Sequence, residues 1–419
     1  MRLTPRLLTV CFLCAWALYL SAASALAVAP ARPDNGWAPL AALPEQLDSP
    51  VFALAVSPLD PATVLVGTGS GTLYRSTDAG NTWAAVAHGL GRGVMTIQFS
   101  PFKAGLVYAG TRGAGLWKSG DGGATWAKQA SIPSSTVRSL GFAKSITLVG
   151  ADGGLFASRD GATWSPYLSF APLSLSAIAV AAVNDPPKFL AGADASKGNE
   201  TLPLFISQDG GASWSNVTSL GSSTMVGAAA AGAPNGASRP VVVGTNAGAF
   251  LSNDGGSTWA QVAGLPAIDF TAAAYVANHA DRFYVASDGG GTQSGGVWST
   301  ADSGQTFRSL ASPIGSVTAL ALSAEETPTV YTATFRPIDH LVMLWAFHDT
   351  GGTPTAPDGA VPPAAGPVVA SGAAPSAGAG GSTLARLVTA PEAPYIGLGV
   401  VAVFVLLAAL VLQVGRGRE

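Results

Sequence analysis

Six aspartates recur in one local setting, and a carboxylate repeated in a fixed frame is the first feature of this sequence that could do chemistry. Asp78 sits in Ser76-Thr77-Asp78-Ala79-Gly80-Asn81-Thr82-Trp83, and the frame returns around Asp121, Asp209 and Asp254. A copy one residue shorter, 158–164, holds Asp160, and the copy around Asp302 ends in Phe307 instead of Trp. Carboxylates converging on one point bind cations or carry acid–base chemistry. These are separated by steps of 43, 39, 49, 45 and 48 residues, which disperses them over a repeated architecture. They read as turn residues. Asp accepts from backbone N–H groups two residues on, Gly takes the positive φ that closes a hairpin, and Trp opens the next strand and buries its ring.

The elements that position these turns follow from the residues upstream. Each copy is preceded by an alternating run with an aromatic in the same place: Tyr74, Trp117, Phe156, Phe205, Phe250 and Trp298. Two further β-like runs precede that one, so the first unit predicts strands at 51–56, 63–67, 73–76 and 83–86. Four short strands per unit of this length predict the blade of a propeller. First-strand runs begin near Val51, Val94, Val137, Leu175, Val226, Phe270 and Val317. The last unit carries an imperfect turn at Asp349, with Gly351 and Thr353 in register and Pro354 where Trp should stand. The missing strand is found near the start, where 37–44 parallels 259–266. The predicted fold is therefore all-β, a seven-bladed β-propeller over 34–353 whose last blade takes its outer strand from the N-terminus.

The Ser-x-Asp-x-Gly-x-Thr-Trp frame resembles the Asp-box, or bacterial neuraminidase repeat. It occurs in sialidases, xyloglucan-degrading glycosidases, sortilin-type receptors and photosystem II assembly factors. The resemblance covers roughly 37–353. It implies a propeller with the boxes, the seventh being Asp349, as structural staples. It implies no single activity, because those relatives do unrelated things.

If the boxes join third to fourth strands, the opposite face carries the second-to-third-strand loops. Just after each second strand stand Gly69, Arg112, Asp152, Asp194, Asn246, Asp288 and Thr334, with Arg336 close behind. The run Asp152, Asp194, Asn246, Asp288 could line an arc that holds a cation or sugar hydroxyls. The competing reading is turn chemistry, since Asp152-Gly153 and Asp288-Gly289 are ordinary hairpin dipeptides. The loops 194–203 and 288–296 are the longest and the best placed for a partner.

The sialidase resemblance would require three arginines, a Tyr/Glu nucleophile pair and an Asp acid. Arg112, Arg282 and Arg336 can be assembled on paper, but their spacing does not support the triad. Glutamate is scarce, and the stretch 334–338 only faintly resembles the sialidase arginine motif. A glycosidase could pair Asp152 with Asp288, at a separation that sequence does not define. His340 and His348, eight residues apart, would share a face of one strand but lack the further ligands of a metal site. No catalytic residue, cofactor or metal is expected.

Composition limits the rest. Of 419 residues only 11% are charged and the formal net charge is −3, so there is no basic stripe for nucleic acid. Residues 1–27 have the layout of a secretory signal peptide: Arg2 and Arg6, an apolar run, then small residues that favour cleavage after Ala25 or Ala27. Both cysteines, Cys11 and Cys14, would leave with it. Residues 354–394 are a Pro/Ala/Gly-rich linker. Residues 395–414 carry no charge and are long enough for a transmembrane helix, and Arg416 and Arg418 in the tail 415–419 place that end in the cytoplasm. Pro391-Glu392-Ala393-Pro394 also loosely resembles bacterial sorting tails. The expected protein is a single-pass, cell-membrane propeller facing outward. It would act as a non-catalytic binding or assembly module for protein or glycan on the long-loop face. A carbohydrate-active enzyme and a photosystem II assembly factor-like protein are the rival readings. With the tether leaving beside the Asp349 turn, the long-loop face is expected to point away from the membrane.

Overall fold

Short runs of β-branched and aromatic residues, each ended by Gly, Asp or Ser, are strand-forming and too brief for helices. The computed structural model describes residues 32–355 and 361–362, leaving out 130–131, 133–135, 183–185, 196–202, 237 and 292. All of these fall in one compact unit that ends at Ala364. The expected signal peptide, the apolar span 395–414, the tail and most of the linker lie outside the described residues.

Strand β1 (Trp37–Pro39) precedes a four-stranded sheet of β2 (Ala53–Val56), β3 (Val64–Gly67), β4 (Leu73–Ser76) and β5 (Ala84–Ala87). The next four-stranded sheet is β6 (Val94–Phe99), β7 (Val107–Thr111), β8 (Leu116–Ser119) and β9 (Ala127–Gln129). Beyond it comes a six-stranded sheet: β10 (Val137–Ala143), β11 (Ile146–Ser158), β12 (Ser165–Ala182), β13 (Lys188–Asp194), β14 (Leu204–Ser207) and β15 (Ser215–Asn216). Two more sheets of four are β16 (Val226–Ala231) to β19 (Ala260–Gln261), through β17 (Val241–Thr245) and β18 (Gly248–Ser252), and then β20 (Ala272–Tyr275), β21 (Phe283–Ser287), β22 (Gly296–Thr300) and β23 (Arg308–Ser309). The last sheet has β24 (Val317–Leu322), β25 (Thr329–Arg336) and β26 (Leu341–His348), with β1 as its outer strand. The fold is an all-β propeller.

Two parts of the expected architecture are corrected. Seven separate four-stranded blades were expected, whereas the described residues form five sheets of four strands and one of six. β12 is the cause. Its first half pairs with β11 and its second half with β13, over 18 residues that include no glycine. Asp152 pairs with Ser174 in the backbone register and accepts from its hydroxyl at 2.7 Å, which holds the two groups of strands together. The second correction concerns the transmembrane helix. The described residues contain no helix, and so none long and apolar enough to cross a membrane.

The core lies between neighbouring sheets. Val64, Val66 and Tyr74 of the first sheet pack against Tyr331, Ala333, Leu344 and Ala346 of the last, so the ring closes on an apolar seam. Close approach requires glycine at the end of second strands. A Cβ on Gly67 would stand 2.4 Å from Val94 of the next sheet, and one on Gly110 would stand 2.5 Å from Val137. A central channel of about 460 Å³ is bordered by one strand of each four-stranded sheet and two of the six-stranded one.

The box aromatics bridge the sheets. Trp126 packs against the buried cluster that includes Leu65 and Ala55 of the preceding sheet, and Trp164 meets Tyr108 edge-on at 6.1 Å. At the imperfect seventh turn the aromatic comes from β1. Trp37 is buried against Phe347 at 5.1 Å and Val297, and its indole N–H donates to the Leu310 carbonyl at 2.5 Å. Trp37 pairs with Phe347 in the ladder, so one residue supplies strand pairing, packing and a hydrogen bond. Trp37→Ala is expected to lower unfolding stability by about 3–5 kcal/mol, read from urea titration followed by circular dichroism. A loss below about 1 kcal/mol would show that closure does not depend on this ring.

Candidate functional site

The aspartate turns join third to fourth strands, as at Asp78 between β4 and β5 and Asp121 between β8 and β9. Their geometry is self-contained. Ser119 Oγ donates to Asp121 Oδ1 at 2.7 Å, Thr125 N to the same oxygen at 2.9 Å, and Thr125 Oγ1 to Oδ2 at 2.5 Å. Ser119 Oγ in turn accepts from Gly123 N at 2.9 Å. The same clasp forms around Asp78, Asp209, Asp254 and Asp302, and Asp160 makes a shorter version with Ser158 and the Thr163 N–H. Hydrogen bonds to a carboxylate favour its charged form. The Thr125, Ser213 and Thr306 hydroxyls thus hold Asp121, Asp209 and Asp302 down at about 2. Asp160 is lowered chiefly by the Thr163 N–H. At Asp78 and Asp254 partial burial pushes upward, but the hydrogen bonds led by Thr82 and Thr258 prevail. Every carboxylate is satisfied within its own hairpin.

Asp349 breaks the pattern. It is 3% exposed and turns away from its own hairpin toward the preceding sheet. Tyr284 Oη donates to Asp349 Oδ2 at 2.6 Å, the Arg308 guanidinium pairs with the same oxygen, and Gly351 N donates to Oδ1 at 2.8 Å. Burial, then the Asp349 charge, push the Tyr284 phenol well up. Sequence reading grouped Asp349 with the other turn residues. The absent Trp at Pro354 was the available signal that its surroundings differ.

On the opposite face the candidate residues do not converge. Arg112 is exposed at the end of its sheet, in a backbone bridge with Thr136. Asp152 forms an ion pair with Arg138 at 2.7 Å besides its Ser174 bond. Partial burial opposes ionisation there, but Arg138 and Ser174 hold the carboxyl below its usual range. Asp194 ends β13 in a bridge with Met225. Asn246 accepts from the N–H groups of Thr224 and Met225 at 3.0 and 3.1 Å and donates to Thr224 Oγ1 at 2.8 Å. These polar groups brace loops, as turn chemistry predicts. No contact joins Asp152 to Asp288, and Arg112, Arg282 and Arg336 stay apart: Arg282 pairs with Glu326 at 3.0 Å. His340 Nδ1 donates to the Asp48 carbonyl at 2.9 Å, and His348 lies 3.8 Å from Asp34. Among the described residues no three His, Cys, Asp or Glu side chains are placed to hold a metal ion.

Asp288 and Arg336 alone come together. They border a groove of about 610 Å³ between the β20–β23 sheet and the last sheet, walled by Pro50, Phe52, Pro313, Phe335 and Pro337. Phe52 is 45% exposed and Ile338, beside Pro337, is 75% exposed. Asp288 accepts from Gly290 N at 2.9 Å, and burial and then its charge raise the pKa of neighbouring Asp269. Arg336 makes a two-pronged pair with Asp339, Nε to Oδ1 at 2.9 Å and NH2 to Oδ2 at 2.7 Å. Its NH1 donates to the Pro362 carbonyl at 2.8 Å, and Val361 lines the groove. The chain beyond Asp349 thus reaches the long-loop face. Gly36 and Thr355 pair in parallel, so the chain after Asp349 starts along the outer edge of the last sheet; the orientation of this face toward a membrane depends on residues outside those described. Of the two long loops, 288–296 contributes Gly291 and Gln293 to the groove; 196–202 lies outside the described residues.

No family model matches the chain, and no curated protein matches it. Solved structures do. The GH74 xyloglucanase from Xanthomonas campestris superposes with a TM-score of 0.56 at 16% identity, covering 75% of this chain and 56% of that one. YCF48 from Cyanidioschyzon merolae gives 0.53 at 16% identity, over 74% and 98% of the two chains. A YCF48 bound to a D1 peptide gives 0.54 at 14%, over 76% and 99%. Such identities define a shared β-propeller fold. The chain matches little more than half of the xyloglucanase's length.

The turn electrostatics lead to two expected outcomes. The carboxylates of the repeated turns have folded pKa values below their unfolded value of about 3.9, so their contribution is complete above that pH and is lost as pH falls toward 2. Urea midpoints are expected to be level from pH 7 to about 4.5 and to drop between about pH 4 and 2; a level profile to pH 2 would contradict this. Asp349→Ala leaves the buried Tyr284 hydroxyl without its acceptor and the half-buried Arg308 guanidinium without its carboxylate, and should cost about 1–3 kcal/mol. Equilibrium unfolding of Asp349→Ala beside Asp121→Ala checks it, and equal effects would remove the distinction between the two turns.

Proposed function

We propose that this propeller is a non-catalytic binding or assembly module for a protein partner. In this reading it is exported and held at the membrane, with its sheets outside and the short tail 415–419 in the cytoplasm. One observation carries the proposal: the largest concave surface shared by candidate residues is a groove with apolar walls and braced polar edges. Apolar concavities with a few placed polar groups are the usual form of binding sites. A hydrolase would need acid and base groups aimed at one reacting point, whereas Asp152 is tied to Arg138 and Asp288 sits in its own turn. The likeness to a YCF48 bound to a D1 peptide supports this propeller fold as a platform for peptide recognition, and the likeness to a xyloglucanase keeps glycan processing as the rival. An assembly-factor role of the photosystem kind is less well supported by a chain with six lysines.

The membrane attachment rests on the uncharged run 395–414 and the flanking Arg416 and Arg418. Purification of the full chain from detergent-solubilised membranes is expected to bring down one stoichiometric protein partner, lost on Phe52→Asp with the fold retained. Sialosides and β-glucans are expected to show no turnover. Hydrolysis abolished by Asp152→Asn or Asp288→Asn would overturn the proposal in favour of the enzyme.

A further inference from the structure

Several cations of the described residues are spent on partners: Arg138 on Asp152, Arg282 on Glu326, Arg308 on Asp349, and Arg239 on the carbonyls of Val180, Ala231 and Gly232. Three exposed ones with no side-chain partner among the described residues, Lys103, Lys144 and Arg159, converge on one pocket of about 280 Å³. They come from three separate places in the chain. Lys103 lies between β6 and β7, Lys144 between β10 and β11, and Arg159 in the aspartate turn after β11. Lys118 lines the same pocket as a fixed fourth cation, its Nζ donating to the Gly161 carbonyl at 3.2 Å and standing 5.8 Å over the Tyr108 ring. The one carboxylate there, Asp160, has its Oδ1 taken by Ser158, Ala162 and Thr163 of its own turn. Four positive charges against one negative make this a cationic pocket in a chain of formal net charge −3. Like charges gathered around one concavity repel, and an anion held between them relieves that cost. Ser145 and Thr147 add hydroxyls, and Phe102 at the rim is 49% exposed. The apolar face of a sugar ring packs well on such an aromatic, and hydroxyls suit its polar edge.

We infer that this pocket binds a glycan bearing phosphate or sulfate esters, with the ester oxyanion among Lys103, Lys144 and Arg159 and a sugar ring on Phe102. Lysine supplies charge without a fixed donor geometry, which suits tetrahedral oxyanions carried at varying positions along a sugar chain. Hydrogen bonds between ionised partners are roughly twice as strong as neutral ones. The only carboxylate among the described lining residues is engaged in its turn, so the pocket retains a glycan and does not cleave it. It lies on the side of the aspartate turns, away from the groove, and is independent of the protein-partner reading. A propeller with both sites would hold an anionic polymer on one face and a protein on the other.

The test is isothermal titration of the full chain in detergent with isomaltohexaose, its sulfated derivative and sodium sulfate. The sulfated hexasaccharide is expected to bind, and to weaken about tenfold as salt rises from about 0.05 to about 0.3 M, because exposed charges are screened. The neutral hexasaccharide should give no binding heat, and sulfate alone should bind more weakly than the sulfated sugar. A triple variant, Lys103→Ala with Lys144→Ala and Arg159→Ala, removes no side-chain hydrogen bond of the described residues and so keeps the fold. It should lower affinity for the sulfated sugar about tenfold or more. Its control, Arg92→Ala with Lys128→Ala and Lys188→Ala, removes the same charge elsewhere and should stay within about twofold of native. Phe102→Ala should weaken the sulfated sugar about threefold or more and leave sulfate unchanged. No binding by the native chain, or equal losses in the two triple variants, overturns the site. Sulfate binding as tightly as the sulfated sugar overturns the glycan as its ligand. Tighter binding of soluble dihexanoyl phosphatidylglycerol, lost in the first triple variant, would assign the pocket to lipid headgroups and overturn the glycan likewise. The groove is read separately by Phe52→Asp, so failure here leaves the binding-module reading standing.

Discussion

A ring of sheets has one join that the order of the chain cannot make, and everything else in this protein depends on closing it. The join is the pairing of β1 with β26, three residues opposite three, with Trp37 buried behind it. Without β1 the outer edge of the last sheet would expose unpaired N–H and C=O groups, an invitation to aggregation. The seam is also apolar on both sides, where Tyr74 and Val66 meet Tyr331 and Leu344. Strand pairing sets the register and packing supplies most of the stabilisation, since exchange of backbone hydrogen bonds with water leaves little net gain.

Within each sheet the turn carboxylates do a different task. At Asp121 the carboxylate collects a Ser hydroxyl, a Thr hydroxyl and a Thr N–H, which fixes the hairpin and lets the following aromatic reach the preceding sheet. Ser213 takes the place of the Thr at Asp209, and Thr300 that of the Ser at Asp302. Long cationic side chains add a second tie between sheets. Arg75 Nε donates to the Gly122 carbonyl at 3.0 Å and Lys118 Nζ to that of Gly161 at 3.2 Å. At the join this system changes. Asp349 keeps the Gly351 N–H of its own hairpin but turns its other oxygen into a buried bridge to Tyr284 and Arg308, while Trp37 takes over the packing. The last turn is specialised for closure, and it directs the chain beyond it along the outer edge toward Arg336.

That path alters how the two faces relate to function. A tether leaving on the side of the aspartate turns would have left the long-loop face open. Instead Val361 and Pro362 sit at the groove of that face, so the surface best suited to a partner already carries these two residues of the chain. The polar residues around it are turn braces, and its character comes from Phe52, Phe335 and prolines, none of which stands out by residue chemistry.

Much of this was legible in the residues. The aromatic before each turn and the spacing of the carboxylates foretold four short strands around Asp78, Asp121, Asp254 and Asp302 and the hairpin that each carboxylate closes, whereas the units of Asp160 and Asp209 share one six-stranded sheet. Those signals are local, arising within eight residues. The parallel between 37–44 and 259–266 likewise foretold that an N-terminal strand completes the last sheet. Tertiary structure decided what depends on distant partners. β12 runs unbroken because Asp152 meets Ser174 and Arg138, a contact no period reveals. Asp349 is buried because Tyr284 and Arg308 of another sheet surround it, although its own sequence matches an exposed turn. Asp288 and Arg336 share a groove, while Asp152, Asp194 and Asn246 are each consumed by neighbours, since a position after a second strand specifies a face and leaves the direction of the side chain to packing.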